Sequence, residues 1–329
     1  MKQYTAKPFI KWVGGKGQLV KTFESLLPNG FSNIEDITYI EPFIGGGAML
    51  FFMLQKFSNI KKAIINDVNP NLIKAYKAVK HTPESLIQSL LAIQKEYLNI
   101  SEEDKRKEFY LTIRKRFNEG HLSDIDNTIY FIFLNRTCFN GLYRVNSKGE
   151  FNVPFGKYSN PTICHTSTLY ADSELLQKVE IISGDFEETE KYVSGNTFVY
   201  FDPPYRPLDT TSSFNSYAKE TFDDNEQIRL KKYVDKLTSK QCLIMLSNSD
   251  GKGRNPKDIF FDELFEDYII ERVYASRSVN SDPEKRGKLT ELLIRNYKDT
   301  QQAVPKTSQQ LLLDFNRCAH EQSTYRRTI

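Results

Sequence analysis

The sequence predicts an α/β fold: an open, mostly parallel sheet interrupted by a mostly helical insertion that carries a β-hairpin. Three observations predict it. Short strand-like runs occur near both ends of the chain, at 38–41, 62–66, 179–182, 198–201 and 242–246. The first two flank a Gly-rich turn and an apolar, helix-like stretch, giving the strand, turn, helix, strand, acid order of a βαβ unit. From 69 to 138 the chain changes to apolar residues at helical spacing.

Each element follows from local composition. A loop with Gly14, Gly15 and Gly17 leads into a helix over 18–27. Residues 38–41 form a strand, 42–47 a tight Gly-rich turn, and 48–57 a buried helix. Ala63, Ile64 and Ile65 mark a second strand over 62–66 that ends at Asp67. Helical periodicity then covers 72–79, 86–98, 107–117 and 125–139. Residues 140–160 carry Gly141, Gly149, Pro154 and Gly156 between short extended runs and read as a hairpin or loop. The α/β pattern returns near 179, with a helix over 227–237 between the last two parallel-type strands. Residues 268–274 and 291–296 can form a terminal pair of strands. The polar tail, 299–329, has one apolar knot at 311–313 and Phe315, and reads as a peripheral helix with loose ends.

Composition narrows the class. With 329 residues the chain can hold one large domain and a smaller one, and 26% charged residues argue against global disorder. A net charge of +3 points only weakly to nucleic acid. Residues 136–160, however, hold Arg136, Arg144, Lys148 and Lys157 against Glu150 alone, so this one segment matches the excess of the whole chain. Such a concentration fits a phosphate-tracking surface or a solvated loop. Cys138, Cys164, Cys242 and Cys318 show neither zinc spacing nor a disulfide framework, and the four histidines form no ligand cluster. No metal is expected, and the thiols should be buried or inert in a reducing cytosol. Residues 1–9 lack the apolar core of a signal peptide, and the longest apolar run, 48–54, is too short to span a membrane. The expectation is a soluble, cytoplasmic protein.

The segment Val199-Tyr200-Phe201-Asp202-Pro203-Pro204-Tyr205 carries the most chemistry. A buried strand ends in an acid, two prolines and an aromatic. The prolines remove two donors and stiffen the backbone, so carbonyl oxygens can point into a site. Asp202 and a fixed carbonyl offer two acceptors for the two hydrogens of an amine, and Tyr205 offers a flat face for a ring. A turn with a stacked tyrosine would share this pattern. In Glu41-Pro42-Phe43-Ile44-Gly45-Gly46-Gly47, glycines after a strand allow close approach of a ligand. Asp67 follows Gly45 by 22 residues, near the separation at which an acid bonds ribose hydroxyls in dinucleotide sites. The GxGxxG pattern is absent. Lys11-Trp12-Val13-Gly14-Gly15-Lys16-Gly17 superficially suggests a P-loop, but Gly17 stands where a magnesium-binding Ser or Thr is needed, which excludes NTP hydrolysis. Trp12, the one tryptophan, has core packing as its default role. Asp185, in Gly184-Asp185-Phe186 after a strand, fits a ligand-binding acid or a helix N-cap equally well. From Arg136 to Tyr158, basic residues alternate with aromatics, Asn and Gly, side chains that read bases or stack on them.

Together these motifs resemble the Dam-type family of DNA adenine-N6 methyltransferases, close to the GATC-specific members of restriction-modification systems. The matches are KPFIKWVGGK at 7–16, EPFIGGGAM at 41–49, INDVN at 65–69, GDF at 184–186 and FDPPY at 201–205, in the family's order. FNGLYRVNSKGEFNVPFGKY at 139–158 looks like the hairpin with which GATC-specific members read DNA. The resemblance spans roughly 7–297 and implies a Rossmann-like, S-adenosylmethionine-dependent catalytic domain from 1–68 and 179–298. It also implies an inserted target-recognition domain over 69–178, with 299–329 left as a peripheral tail. It implies that Trp12, Lys16, Asp67 and Asp202 line the cofactor site, that Gly45 and Gly47 allow its approach, and that Asp185 and Phe186 lie beside the cofactor adenine. Asp202 and the Pro203 carbonyl would hold the target amine, with Pro204 stiffening the loop and Tyr205 stacking on the flipped base. In the hairpin, Arg144 would read guanine, Leu142 and Pro154 would touch a thymine methyl, Phe139 would wedge into the stack and Asn140 would meet the orphaned base. Arg136, Lys157 and Tyr158 would contact the backbone. Phe139 stands where some members have tyrosine. The implied reaction is base flipping and direct in-line methyl transfer within 5'-GATC-3' of duplex DNA, with a restriction endonuclease of the same site as a possible companion. A cytosine-N4 or RNA methyltransferase shares the proline–tyrosine logic, and a DNA-binding module would need 136–160 but not Lys16, Asp67 or Asp202.

Overall fold

Seven strands form one sheet in the order β3-β2-β1-β4-β5-β7-β6. They are β1 (Ile37–Glu41), β2 (Ile60–Asp67), β3 (Val179–Ser183), β4 (Thr197–Phe201), β5 (Leu243–Ser249), β6 (Ile269–Ala275) and β7 (Leu289–Arg295). The first five run parallel, and β7 lies antiparallel between β5 and β6. The computed structural model describes residues 5–17, 19–206, 222–253, 255–275 and 289–298; the tail over 299–329, with its apolar knot and Cys318, lies outside them. All the elements fall within Met1–Tyr297.

Every residue of β1 and β4 is buried, as expected of central parallel strands covered on both faces. Side-chain alternation divides the core in two. On one face Tyr39, Ala63, Phe198, Tyr200 and Met245 join Phe23 of α1 (Val20–Ser25) and Phe51 of α2 (Ala48–Lys56). On the other, Ile40, Ile64, Val199, Phe201 and Leu246 meet Leu230 and Val234 of α8 (Asp224–Ser239) and Phe261 of α9 (Phe260–Leu264).

Five helices stand between β2 and β3: α3 (Pro70–His81), α4 (Pro83–Asn99), α5 (Glu103–Glu119), α6 (Asp124–Thr137) and α7 (Thr166–Leu176). The first four meet the sequence expectation. Asn69 caps α3 by accepting from the Asn71 and Leu72 amides, with Pro70 at its first turn. The fourth ends at Thr137, two residues before the periodicity does. There Cys138 turns extended and the Phe139 amide donates to the Pro154 carbonyl, so the long-range pairing takes over from the helix. The helix α7 has no clear apolar stripe, because Thr168, Asp172 and Ser173 are buried beside Leu169 and Leu176. The segment after α6 closes as a hairpin of isolated antiparallel bridges, Cys138 to Phe155 and Val145 to Phe151. Cys138, Cys164 and Cys242 are buried and free, and burial raises the Cys138 and Cys242 thiols to about 11.

Asp172 is fully buried on α7. Its Oδ1 accepts from the Lys7 amide at 3.0 Å while Oδ2 has no partner among the described residues. Burial pushes this carboxyl from 3.8 up to about 8. The folded state therefore keeps a proton that the unfolded state releases, and this group's contribution is lost as pH rises from 3.8 to about 8. Asp172→Asn is expected to melt a few degrees higher than the parent at pH 8 and at nearly the same temperature at pH 4. Thermal denaturation across that range checks this, and parallel curves for the two proteins would contradict it.

Candidate active site

The strand order reverses between β1 and β4, and in open parallel sheets ligands bind beyond the C-terminal ends of strands at such a point. The register sets Ile40 against Val199 and Glu41 against Ile65, so the turn after β1, Asp67 at the end of β2, and Asp202 after β4 emerge side by side. The sequence motifs therefore converge.

The Gly-rich turn is built around Trp12 and Tyr76. Gly45 has φ +47°, and a Cβ there would lie 2.9 Å from the Trp12 ring. Gly47 has φ +73°, and a Cβ there would meet the Tyr76 hydroxyl at 2.4 Å. These two positions need glycine on conformation and on space. The Tyr76 hydroxyl donates to the Gly45 carbonyl at 3.1 Å, and Trp12 stacks on Tyr143 with centroids 5.5 Å apart. Trp12 thus links the turn to the segment after α6. Asp67 accepts from the Gly45 amide at 3.2 Å and the Asn69 amide at 3.0 Å. Burial lifts its carboxyl to about 6 despite those two donors.

Lys16 is the electrostatic centre. Only 3% exposed, it lies 3.0 Å from Asp202 Oδ1 and 3.4 Å from Glu291 of β7. Its ammonium also sits 4.3 Å from the Tyr205 ring centroid and hydrogen-bonds the Tyr205 hydroxyl. Burial raises the Asp202 carboxyl, and Lys16 and the Ser247 hydroxyl pull it back. Pro203 is buried and Pro204 exposed, and the Pro204 carbonyl accepts from the Gln227 amide at 3.2 Å. The strand end thus presents a carboxylate, a tethered carbonyl and an aromatic ring together.

The third motif is engaged locally. Asp185 caps the 3-10 turn Phe186–Tyr192 by accepting from the Glu187 amide, and both its oxygens accept from Arg229, at 3.0 and 2.7 Å. The Arg229 guanidinium lies 4.1 Å from the centroid of the buried Phe186 ring.

The hairpin presents its residues unevenly. Phe139 is 51% exposed, and Asn140 beside it is exposed with φ +53°. The Asn140 amide donates to the Tyr158 hydroxyl at 3.1 Å, which ties the tip to the returning strand. Arg144 donates through Nε to the Asn152 side-chain oxygen at 2.7 Å and through a terminal nitrogen to the Asn152 carbonyl at 3.2 Å. Pro154 is exposed and Leu142 half-buried. Exposed Lys157 pairs with Glu103 at 2.8 Å. Arg136 donates to the Phe9 carbonyl at 2.6 Å, and its Nε is buried with no partner among the described residues. Sequence reading passed over Glu291, Tyr76, Tyr143, Ser247, Gln227 and Lys11, whose ammonium lies 4.8 Å from the Tyr158 ring centroid. Lys11 and Tyr143 stood inside motifs, and Ser247 stood among polar residues closing an apolar strand.

Parallel strands ending in acids around a Gly-rich turn, with an antiparallel β7 inserted beside β5, define an S-adenosylmethionine-dependent methyltransferase fold. The chain matches the family described as D12 class N6 adenine-specific DNA methyltransferase over residues 12–279, and it belongs to that family. It is 47% identical to the Type II methyltransferase M.MjaIII of Methanocaldococcus jannaschii, over 88% of this chain and 99% of that one. Against the Type II methyltransferase M1.LlaDCHI of Lactococcus lactis subsp. cremoris the identity is 39%, over 88% and 95% of the two chains. Against the DNA adenine methylase of Haemophilus influenzae it is 32%, over 87% and 92%. No helix among the described residues is long and apolar enough to cross a membrane.

Proposed function

We propose that this adenine-N6 DNA methyltransferase modifies the adenine of 5'-GATC-3' in duplex DNA after flipping it out of the helix. The observation that carries the reading is the assembly of Lys16, Asp202 and Tyr205 beside Asp67 and the Gly45 turn. The donor set suits S-adenosylmethionine. Asp67 offers acceptors to ribose hydroxyls, the Gly45–Gly47 turn offers backbone, and Lys16 and Asp202 offer opposite charges to an amino-acid end. Trp12 borders this site, and Asp185 and Phe186 border its adenine end. When bound, this cofactor supplies an electrophilic methyl group.

The protein's part is positioning. A base amine is out of reach inside the duplex, and unstacking it costs a few kcal/mol. Exposed Phe139 would fill the gap left in the stack and Asn140 would meet the orphaned base, offsetting part of that cost. Asp202 and the Pro203 carbonyl would accept the two amine hydrogens, which localises the nitrogen lone pair and turns it toward the methyl group. Both acceptors strengthen as the nitrogen gains positive charge. Tyr205 would stack on the base, and Pro204 stiffens the loop. Arg144 would read guanine, Leu142 and Pro154 a thymine methyl, and Arg136, Lys157 and Tyr158 the backbone. The Type II names of two relatives support a place in a restriction-modification system, with an endonuclease that cuts the same site.

Transfer of a labelled methyl group to a GATC duplex and to one with that site scrambled tests the reading. Labelling of the GATC duplex alone is expected. Equal labelling of both would overturn the specificity and leave the family chemistry standing.

A further inference from the structure

The polar end of β5 lies directly behind the Asp-Pro-Pro-Tyr loop. Ser247 and Asn248 are fully buried, and neighbouring strand residues face opposite sides of the sheet. On one side the Ser247 hydroxyl lies 3.1 Å from Asp202 Oδ1 and 3.1 Å from the Tyr200 hydroxyl. Tyr200 is wholly buried and holds its proton, its hydroxyl raised well above the ordinary phenol range by that burial. Tyr200 can therefore donate to Ser247, which leaves the serine proton for the carboxylate, the nearer of its two acceptors, the other being the Phe201 carbonyl at 3.3 Å. On the other side the Asn248 amide donates to Gln227 Oε1 at 3.1 Å, and Gln227 donates to the Pro204 carbonyl at 3.2 Å. Gln227 is 1% exposed. Two short chains of buried hydrogen bonds, from adjacent residues of one strand, thus reach both ends of Asp202-Pro203-Pro204.

We infer that Ser247 and Asn248 are positioning residues of methyl transfer: Ser247 fixes the orientation of Asp202 and Asn248, through Gln227, fixes the backbone at Pro204. The Pro203 carbonyl lies between the two ties. Among the described residues, Lys16 and Ser247 both contact Asp202 on Oδ1, so they leave Oδ2 to the amine. Filling space does not by itself call for these residue types, because apolar residues at 247 and 248 would occupy the same volume without bringing buried polar atoms that need partners. The inference rests on the role proposed for Asp202 and adds the groups that hold it in place.

Single-turnover methylation of a GATC duplex tests it, with Ser247→Ala and Asn248→Ala set against Ser247→Thr. The two alanine variants are expected to transfer methyl about 10- to 100-fold more slowly, since misplacement by about 1 Å can cost that much. Affinity for DNA should stay within about 3-fold, because neither side chain reaches the hairpin. Ser247→Thr, which keeps the hydroxyl, should restore most of the rate. Ser247→Ala should also move the acidic limb of the rate profile to higher pH, since Asp202 loses a donor that lowers its pKa. A wild-type rate and acidic limb in Ser247→Ala, or equal loss in the alanine and threonine variants, would overturn the inference. An active Asp202→Ala variant would instead overturn the reading on which it rests, so the two failures are distinguishable.

Discussion

Asp202→Ala lowers the single-turnover rate by at least about 10³-fold while the protein stays folded. The size follows from what the side chain would do: one acceptor aimed at a developing charge in a partly buried site is worth about 10²–10³ in rate, and here its loss also releases the amine's orientation. The fold survives because Lys16 does not become an isolated buried charge. Glu291 remains 3.4 Å away and Tyr205 remains over the ammonium. Asp202→Asn serves as the shape-preserving companion and should be nearly as slow, since an amide is a weaker acceptor than a carboxylate. Circular dichroism and a melting curve on each variant separate loss of chemistry from loss of fold. Full activity in Asp202→Ala would remove the basis for the whole site assignment.

Arg144→Ala is expected to have the second largest effect, on selectivity more than on rate. The guanidinium is not loose: Asn152 across the hairpin accepts from it twice, at 2.7 and 3.2 Å, so its fork is oriented before DNA arrives. A bidentate contact to guanine is worth about 1–3 kcal/mol of discrimination. The ratio of kcat/KM between GATC and a duplex with one guanine replaced should therefore shrink by roughly 10- to 100-fold in the variant. The salt dependence of binding should fall much less than for a phosphate-contacting residue. An unchanged ratio would take Arg144 out of base reading.

The sheet was legible because buried parallel strands are short and apolar with polar or stiff flanks: 198–201 ends in Asp202 and two prolines, and 242–246 runs into Ser247 and Asn248. The helix at 166–176 was not legible, since its inward face is built partly from Thr168, Asp172 and Ser173, whose partners lie far away in sequence. Asp172 binds the amide of Lys7, a contact no local pattern encodes. The site divides in the same way. Lys16, Asp67 and Asp202 stood in motifs, and the structure brings them to one strand edge. Glu291, the second carboxylate on Lys16, comes from β7, and no spacing in the chain announces it. Asp185 shows one of its two readings, the cap, while its part in ligand binding belongs to the proposal. It is the cap that spacing allowed, and Arg229 on α8 occupies both of its oxygens. Arg136 gives one donor to the Phe9 carbonyl, a long-range contact that its motif does not encode.

The most direct test of the central claim is product analysis. A GATC-containing duplex is incubated with the protein and S-adenosylmethionine, digested to nucleosides and analysed by mass spectrometry. N6-methyladenine as the modified nucleoside, absent when Asp202 is replaced by alanine, is the predicted result. N4-methylcytosine in its place, or no modified nucleoside from duplex DNA under conditions where the protein is folded, would contradict it.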